Sequence, residues 1–150
     1  MSRLFSVLLF LGIVLGGGLL IGSQTTPDAW FAQLNKPAFN PPGWLFGPIW
    51  TALYILIAIA GWRWWQRDRG SCAMKLWYGQ LALNFLWSPI FFSAHQIGTA
   101  LAVIVTLLLV ILGFIFKTWR RDRLAGWLFV PYAAWVAFAS VLNASIFALN

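Results

Sequence analysis

The chain has 150 residues, room for one domain, and 61% of them are hydrophobic while only 9% are charged. Soluble domains run to roughly 45–50% apolar and 25% charged, so a water-soluble fold is excluded: the chain has too few polar residues to cover its own core. The formal charge of +7 would point to nucleic acid in a soluble protein, but here the basic residues flank long apolar runs and read as membrane anchors. A nucleic-acid partner is therefore rejected, and membrane lipid takes its place.

In chain order, apolar runs cover Leu4–Gly22, Trp44–Trp62, Leu76–Ala94, Ile97–Phe116 and Leu124–Leu149, none with an Asp, Glu, Lys or Arg away from its ends. Each is near or above the ~18 residues that indicate a spanning helix. Inside lipid only helices and closed barrels satisfy their backbone groups, and these runs lack the strict alternation of barrel strands. The expected fold class is all-α, a polytopic membrane protein with a five-transmembrane-helix bundle forming one domain over residues 1–150.

The first run follows Arg3, as a cleavable secretory signal would. Its length exceeds the usual ~7–15-residue apolar core and no Ala-x-Ala-like site follows, so it reads as a retained span. Gly12 with Gly16, and Gly18 with Gly22, form small-xxx-small pairs that allow a close helix contact or simply add flexibility. The connection 23–43 holds Pro27, Pro37, Pro41 and Pro42 among Trp30, Phe31 and Phe39. It is too apolar for a passive linker and reads as a structured cap on the outer mouth, or else as an aromatic anchor among headgroups. Pro48 and Pro89 fall inside the second and third runs and should each bend or loosen a helix.

Lys and Arg are retained on the cytoplasmic side of short loops. Five spans put Arg3, then Arg63, Arg67, Arg69 and Lys75, then Lys117, Arg120, Arg121 and Arg123 on one side, leaving only Lys36 of the 10 basic residues opposite. The N-terminus is then expected in the cytoplasm and the C-terminus outside. The lone Cys72 has no internal disulfide partner and lies in a basic, cytoplasmic loop.

Catalytic machinery is not evident. Asp28, Asp68, Asp122, His95 and Cys72 show no spacing that suits a triad, a carboxylate pair or a metal cage, so no catalytic and no metal residue is assigned. No span interior holds the ionisable residue that ion or proton pathways need. What remains is aromatic and amide. On the third run Gln80, Asn84, Trp87 and Phe91 share a helical face, as do Tyr132, Trp135, Ala139 and Asn143 on the fifth, while Trp50 and Tyr54 lie four apart on the second. Amides in hydrocarbon are costly unless paired, so Asn84 and Asn143 should point inward. A Trp-walled pocket with a few amides suits a flat, mostly apolar ligand. The same residues would equally make an interhelical polar clamp with packed aromatics.

Three blocks carry a resemblance. Trp30-Phe-Ala-Gln-Leu-Asn-Lys-Pro37 with Phe39-Asn-Pro-Pro-Gly-Trp44 and Gly47-Pro-Ile-Trp-Thr-Ala-Leu-Tyr54 is the first. Tyr78-Gly-Gln-Leu-Ala-Leu-Asn-Phe-Leu-Trp-Ser-Pro-Ile-Phe-Phe92 and Val130-Pro-Tyr-Ala-Ala-Trp-Val-Ala-Phe-Ala-Ser-Val-Leu-Asn143 are the others. In register from about Trp30 to Asn143, they resemble the loop and the second, third and fifth helices of the TspO/translocator protein family, whose bacterial members are called tryptophan-rich sensory proteins. The resemblance implies a five-helix membrane protein, often a homodimer, that binds porphyrin or haem, sterols and benzodiazepine-type ligands in a pocket below the first loop, with no required cofactor. It places Trp44, Asn84, Trp87, Trp135, Ala139, Leu142 and Asn143 at that pocket, to which the helical faces add Trp50, Tyr54 and Tyr132. Animal members follow the fifth-helix Asn with a Tyr and an Arg proposed to recognise sterol. Here Ala144, Ser145, Ile146 and Phe147 follow instead, which argues against high-affinity sterol binding. The short chain and the charge asymmetry suit a bacterial inner membrane. The functional expectation is a tetrapyrrole-binding sensor or transporter, with a light- or oxygen-dependent porphyrin-degrading enzyme and a ligand-free structural membrane protein as rivals.

Overall fold

The computed structural model describes residues 2–150, and all regular structure among them is helical. There are six α-helices: α1 (Arg3–Gln24), α2 (Ala29–Gln33), α3 (Phe46–Arg67), α4 (Cys72–Ser88), α5 (Ile97–Thr118) and α6 (Arg123–Leu149). A 3₁₀ turn, Gly43–Leu45, leads into α3, and a π-helical segment, Pro89–Ser93, extends α4. The helix count thus differs from the five expected, because the aromatic connection folds a short helix of its own.

Four helical stretches are long and apolar enough to cross a membrane: Arg3–Gln24, Gly43–Arg67, Ile97–Thr118 and Arg123–Leu149. Leu8, Ile13, Leu109, Leu112 and Val141 point outward from them. Such a continuous apolar exterior is stable against lipid tails and not against water. The helices form a ring in which α1 packs on α3, α3 on α6, α6 on α5, α5 on α4, and α4 closes on α1. The core inside includes Val14, Ile57, Trp77, Ile111, Phe129 and Tyr132.

Several boundaries lie beyond the apolar runs for identifiable reasons. α3 continues past Trp62 to Arg67 because its last turn is anchored on one face: Trp64 is buried and its indole N–H donates to the Ser71 hydroxyl at 2.6 Å, while Gln66 and Arg67 are exposed. Ser71 in turn caps α4 by accepting from the Met74 N–H, so that helix begins at Cys72. Pro48 causes no break, since it sits in the first turn of α3, where a missing N–H has no partner to lose. Pro89 does disturb its helix. With no N–H to donate, it hands the chain to a wider turn in which Ala94 N–H bonds Pro89 C=O at 2.9 Å. Pro131 lies within α6, a site the sequence reading had not singled out.

Two glycines set how closely the helices approach. A Cβ at Gly61 of α3 would run into the Trp77 indole, whose N–H donates to the Ile57 carbonyl at 2.9 Å and so ties α4 directly to the backbone of α3. A Cβ at Gly18 would likewise strike the Tyr54 ring, which lies against the backbone of α1. A Cβ at Gly12 or Gly16 would meet nothing within 4 Å among the described residues, so this pair marks no close helix approach there.

The end of the bundle holding the N-terminus is tied together by charge. Arg63 grips Asp122 with Nε on Oδ2 at 3.1 Å and Nη2 on Oδ1 at 3.0 Å, while Asp122 caps α6 by accepting from the Ala125 N–H. Burial alone would push the Asp122 carboxyl up. The Arg63 hydrogen bonds and charge outweigh it, with the Ala125 N–H assisting, and the group ends below the usual carboxylate value. Arg67 donates to the Arg121 carbonyl, and Arg121 pairs with Asp68 at 3.5 Å.

Candidate ligand cavity

At the opposite end, the connection between α1 and α3 folds onto the helix ends. Asp28 caps α2 by accepting from the Phe31 N–H at 3.2 Å. This aims Trp30 and Phe31 at the π segment: Phe31 meets Phe91 and Phe92 edge-on with ring centres 6.0 and 5.3 Å away. Trp30 stacks on His95 at 4.1 Å, with His95 held at φ 58° and its Nε2 3.5 Å from Asp28. Asn35 and Asn150 exchange a backbone N–H and a side-chain amide across 3.0 and 2.9 Å, fastening the connection to the end of α6. Aromatic packing and paired amides thus seat this segment on the bundle.

Beneath it lies a cavity of about 410 Å³, within the range of small-molecule pockets. α1 contributes Gly18 and Gly22, α3 contributes Phe46, Trp50, Thr51 and Tyr54, and α4 contributes Asn84, Phe85, Trp87 and Ser88. Thr25 and Ser88 join hydroxyls at 2.6 Å, linking the end of α1 to the end of α4 at this wall. A second, smaller cavity of about 50 Å³ adjoins it behind a shared partition of Phe46, Trp50 and Trp87. Trp135, Ala139, Leu142 and Asn143 of α6 line this smaller space.

The residues singled out in the sequence therefore separate into groups. Trp50, Tyr54, Asn84 and Trp87 line the large cavity. Trp135, Ala139, Leu142 and Asn143 line the small one, which Trp50 and Trp87 also face. Tyr132 is fully buried behind both, its hydroxyl accepting from Asn84 Nδ2 at 2.7 Å and donating to Gln80 Oε1 at 2.8 Å. Trp44 does not join either lining: it lies in the 3₁₀ turn and is 73% exposed. Asn143 is a clamp in this geometry. Its Oδ1 accepts from the Trp87 indole at 3.0 Å and its Nδ2 donates to the Ile97 carbonyl at 3.1 Å, bridging α6 to α4 and α5. Trp135, on the lining of the same small cavity, has its indole N–H buried without a partner among the described residues.

The sequence marks Gly18 and Gly22 as a close-contact pair and not as cavity wall; Gly18 does meet the Tyr54 ring. Thr25 after α1 and Phe85 of α4 carry no chemical signature and were passed over. No cluster of three metal-ligating side chains occurs among the described residues.

Comparison with known proteins bears on this aromatic cavity. A family model, the TspO/MBR family, matches residues 7–149. The chain belongs to the TspO/MBR family. It is 38% identical over 135 residues to the tryptophan-rich sensory protein of Cereibacter sphaeroides, covering 90% of this chain and 85% of that one. It is 36% identical over 147 residues to the tryptophan-rich protein TspO of Archaeoglobus fulgidus, covering 97% and 94%. To the human translocator protein it is 37% identical over 137 residues, covering 84% and 79%. Membership and the apolar helices together make this TspO/MBR protein an integral, multi-pass membrane protein.

Proposed function

We propose that this TspO/MBR protein is a tetrapyrrole-binding sensor or transporter whose ligand, a porphyrin or haem, occupies the large cavity. The observation that carries the reading is the cavity itself: about 410 Å³, walled by Trp50, Tyr54 and Trp87 and supplied with two amides, Asn40 and Asn84. Trp and Tyr faces hold a flat ring system by offset stacking, worth about 0.5–1.5 kcal/mol per pair beyond burial, and an amide orients it. Trp135, Ala139, Leu142 and Asn143 serve as the annex behind the partition, and Trp44 as a ring at the rim that an entering ligand meets. Benzodiazepine-type molecules, also flat and apolar, suit the same walls. The chemistry needs no resident cofactor.

In this reading α4 with its π extension is a fifth crossing. Cys72–Ser93 is about 30 Å long at 1.5 Å per residue, matching the hydrocarbon thickness. The bundle then lies N-terminus in, C-terminus out, in a bacterial inner membrane, and assembles as a homodimer through lipid-facing sides. The deciding experiment incubates purified protein with protoporphyrin IX in light and in darkness and analyses the pigment. Saturable binding with unchanged pigment supports a binder. New bilin-like products would make it an enzyme, and no binding would leave a structural membrane protein.

A further inference from the structure

Two amides, Asn40 and Asn84, stand on the wall of the large cavity, and Asn84 is the end of a buried chain. Asn84 Nδ2 donates to the Tyr132 hydroxyl at 2.7 Å, and that hydroxyl donates to Gln80 Oε1 at 2.8 Å. Gln80 and Tyr132 are both 0% exposed, Asn84 is 6% exposed, and among these three only Asn84 lines the cavity. The chain stops abruptly. Among the described residues Gln80 Nε2 is buried with no partner, a state that is rare because an orphaned donor carries its full desolvation cost. At the other end Asn84 Oδ1 has no partner among the described residues, so the cavity meets a bare acceptor.

A primary amide exchanges its oxygen and nitrogen by turning over about its last bond, and a phenol both donates and accepts. If both amides turn, the chain runs backwards through the same positions: Gln80 NH₂ donates to Tyr132, and Tyr132 donates to the Asn84 carbonyl. Both hydrogen bonds survive. The orphan becomes the Gln80 carbonyl, the less costly kind of vacancy, and Asn84 now offers NH₂ to the cavity. Tyr132 forces the two amides to turn together, because its single proton can go to only one of them.

We infer that Gln80 and Tyr132 are positioning residues of a reversible relay, through which Asn84 accepts from a ligand N–H or donates to a ligand ring nitrogen or carbonyl. This rests on the reading of the cavity as a ligand site and specifies what that site recognises: a flat aromatic molecule with one hydrogen-bonding group, of either polarity, at its buried edge. Gln80→Met removes the acceptor behind Tyr132. The hydroxyl must then donate to Asn84, which fixes the relay in its reversed sense and leaves Asn84 only a donor to the cavity.

Three tricyclic probes read the polarity in nanodiscs at mildly alkaline pH: carbazole, with a ring N–H; neutral acridine, with a ring nitrogen acceptor; and anthracene, with neither. Wild type is expected to bind carbazole and acridine each roughly threefold to tenfold more tightly than anthracene, the worth of one hydrogen bond. Q80M should keep the acridine advantage and lose that of carbazole, while in a Tyr132→Phe background the same change should leave their ratio unmoved. Should Q80M not fold, Gln80→Leu carries the same expectation. Q80M or Q80L altering both probes by one factor, or neither, overturns the relay, as does a carbazole affinity in wild type no better than that of anthracene while protoporphyrin IX still binds. Failure of protoporphyrin IX and of all three probes to bind would instead overturn the cavity reading, and the relay with it.

Discussion

Replacing Asn143 with Leu separates a clamp from a ligand contact. The amide bridges the Trp87 indole at 3.0 Å and the Ile97 carbonyl at 3.1 Å, joining three helices through one residue that is 1% exposed. Leucine has the same branching with no polar atoms, and the small cavity that Asn143 lines gives room for its larger methyl groups, so the packing survives and the two hydrogen bonds go. Each is worth about 0.5–1.5 kcal/mol in general and an average of about 0.6 between helices in a membrane, giving a loss of about 1–2 kcal/mol. For a chain of this length that lowers Tm by about 3–6 °C. The Trp87 ring stays where it is, because Phe91 stacks on it at 5.2 Å and Phe92 meets it edge-on at 5.8 Å. Protoporphyrin affinity per folded molecule should therefore remain within about twofold of wild type. Melting curves in mild detergent, run beside fluorescence-quenching titrations, measure both quantities. An Asn143→Leu protein with unchanged Tm and clearly weakened binding would refute the clamp and make Asn143 a direct ligand contact.

Other substitutions probe the frame. Gly61→Ala drives a methyl group into the Trp77 indole and should destabilise by about 1–3 kcal/mol, read as a lower Tm, whereas Gly12→Ala, inside α1 with open space around it, should raise Tm slightly. Asp122 has a lowered folded-state pKa, so its contribution is full above the unfolded value of about 4 and is lost as pH falls through the folded one. The melting temperature of wild type should accordingly drop on acidification below pH ~4 by more than that of Asp122→Asn, and parallel acid profiles would contradict the role given to the Arg63 pair. Cys72 is exposed and lies on the side assigned to the cytoplasm. An impermeant maleimide should label it only in opened cells, and labelling of intact cells would reverse the topology.

The membrane class was legible in the apolar runs, and the four stretches long and apolar enough to cross a membrane lie close to where hydropathy puts them. The ends were not, because hydropathy treats Arg63 and Trp64 as the close of a span. One is neutralised by Asp122, 59 residues away, and the other is buried beneath Ser71. The short helix α2 was hidden for a related reason: five residues carry too little periodicity, and its stability comes from Asp28 and from rings on the π segment. On the site, helical spacing found Asn84, Trp87 and Tyr54 because three- and four-residue steps are local geometry. It could not tell that Asn143 spends its amide on Trp87 and Ile97, or that Trp44 turns outward. Those outcomes depend on neighbours distant in sequence. Gln80 was visible on the right face, yet its part emerged only when Tyr132 was seen to stand between it and Asn84.

The central claim, that the space beneath the α2 segment receives a flat ligand, is tested most directly by filling it. Ser88 and Thr51 face the large cavity from α4 and α3, and a Thr51→Phe, Ser88→Phe double variant puts two rings where the ligand would lie. Protoporphyrin IX titrated into wild type in nanodiscs should bind saturably at one site per chain, and the filled variant, if its melting curve confirms a folded protein, should bind at least tenfold more weakly. Undiminished binding by the folded, filled variant would contradict the account.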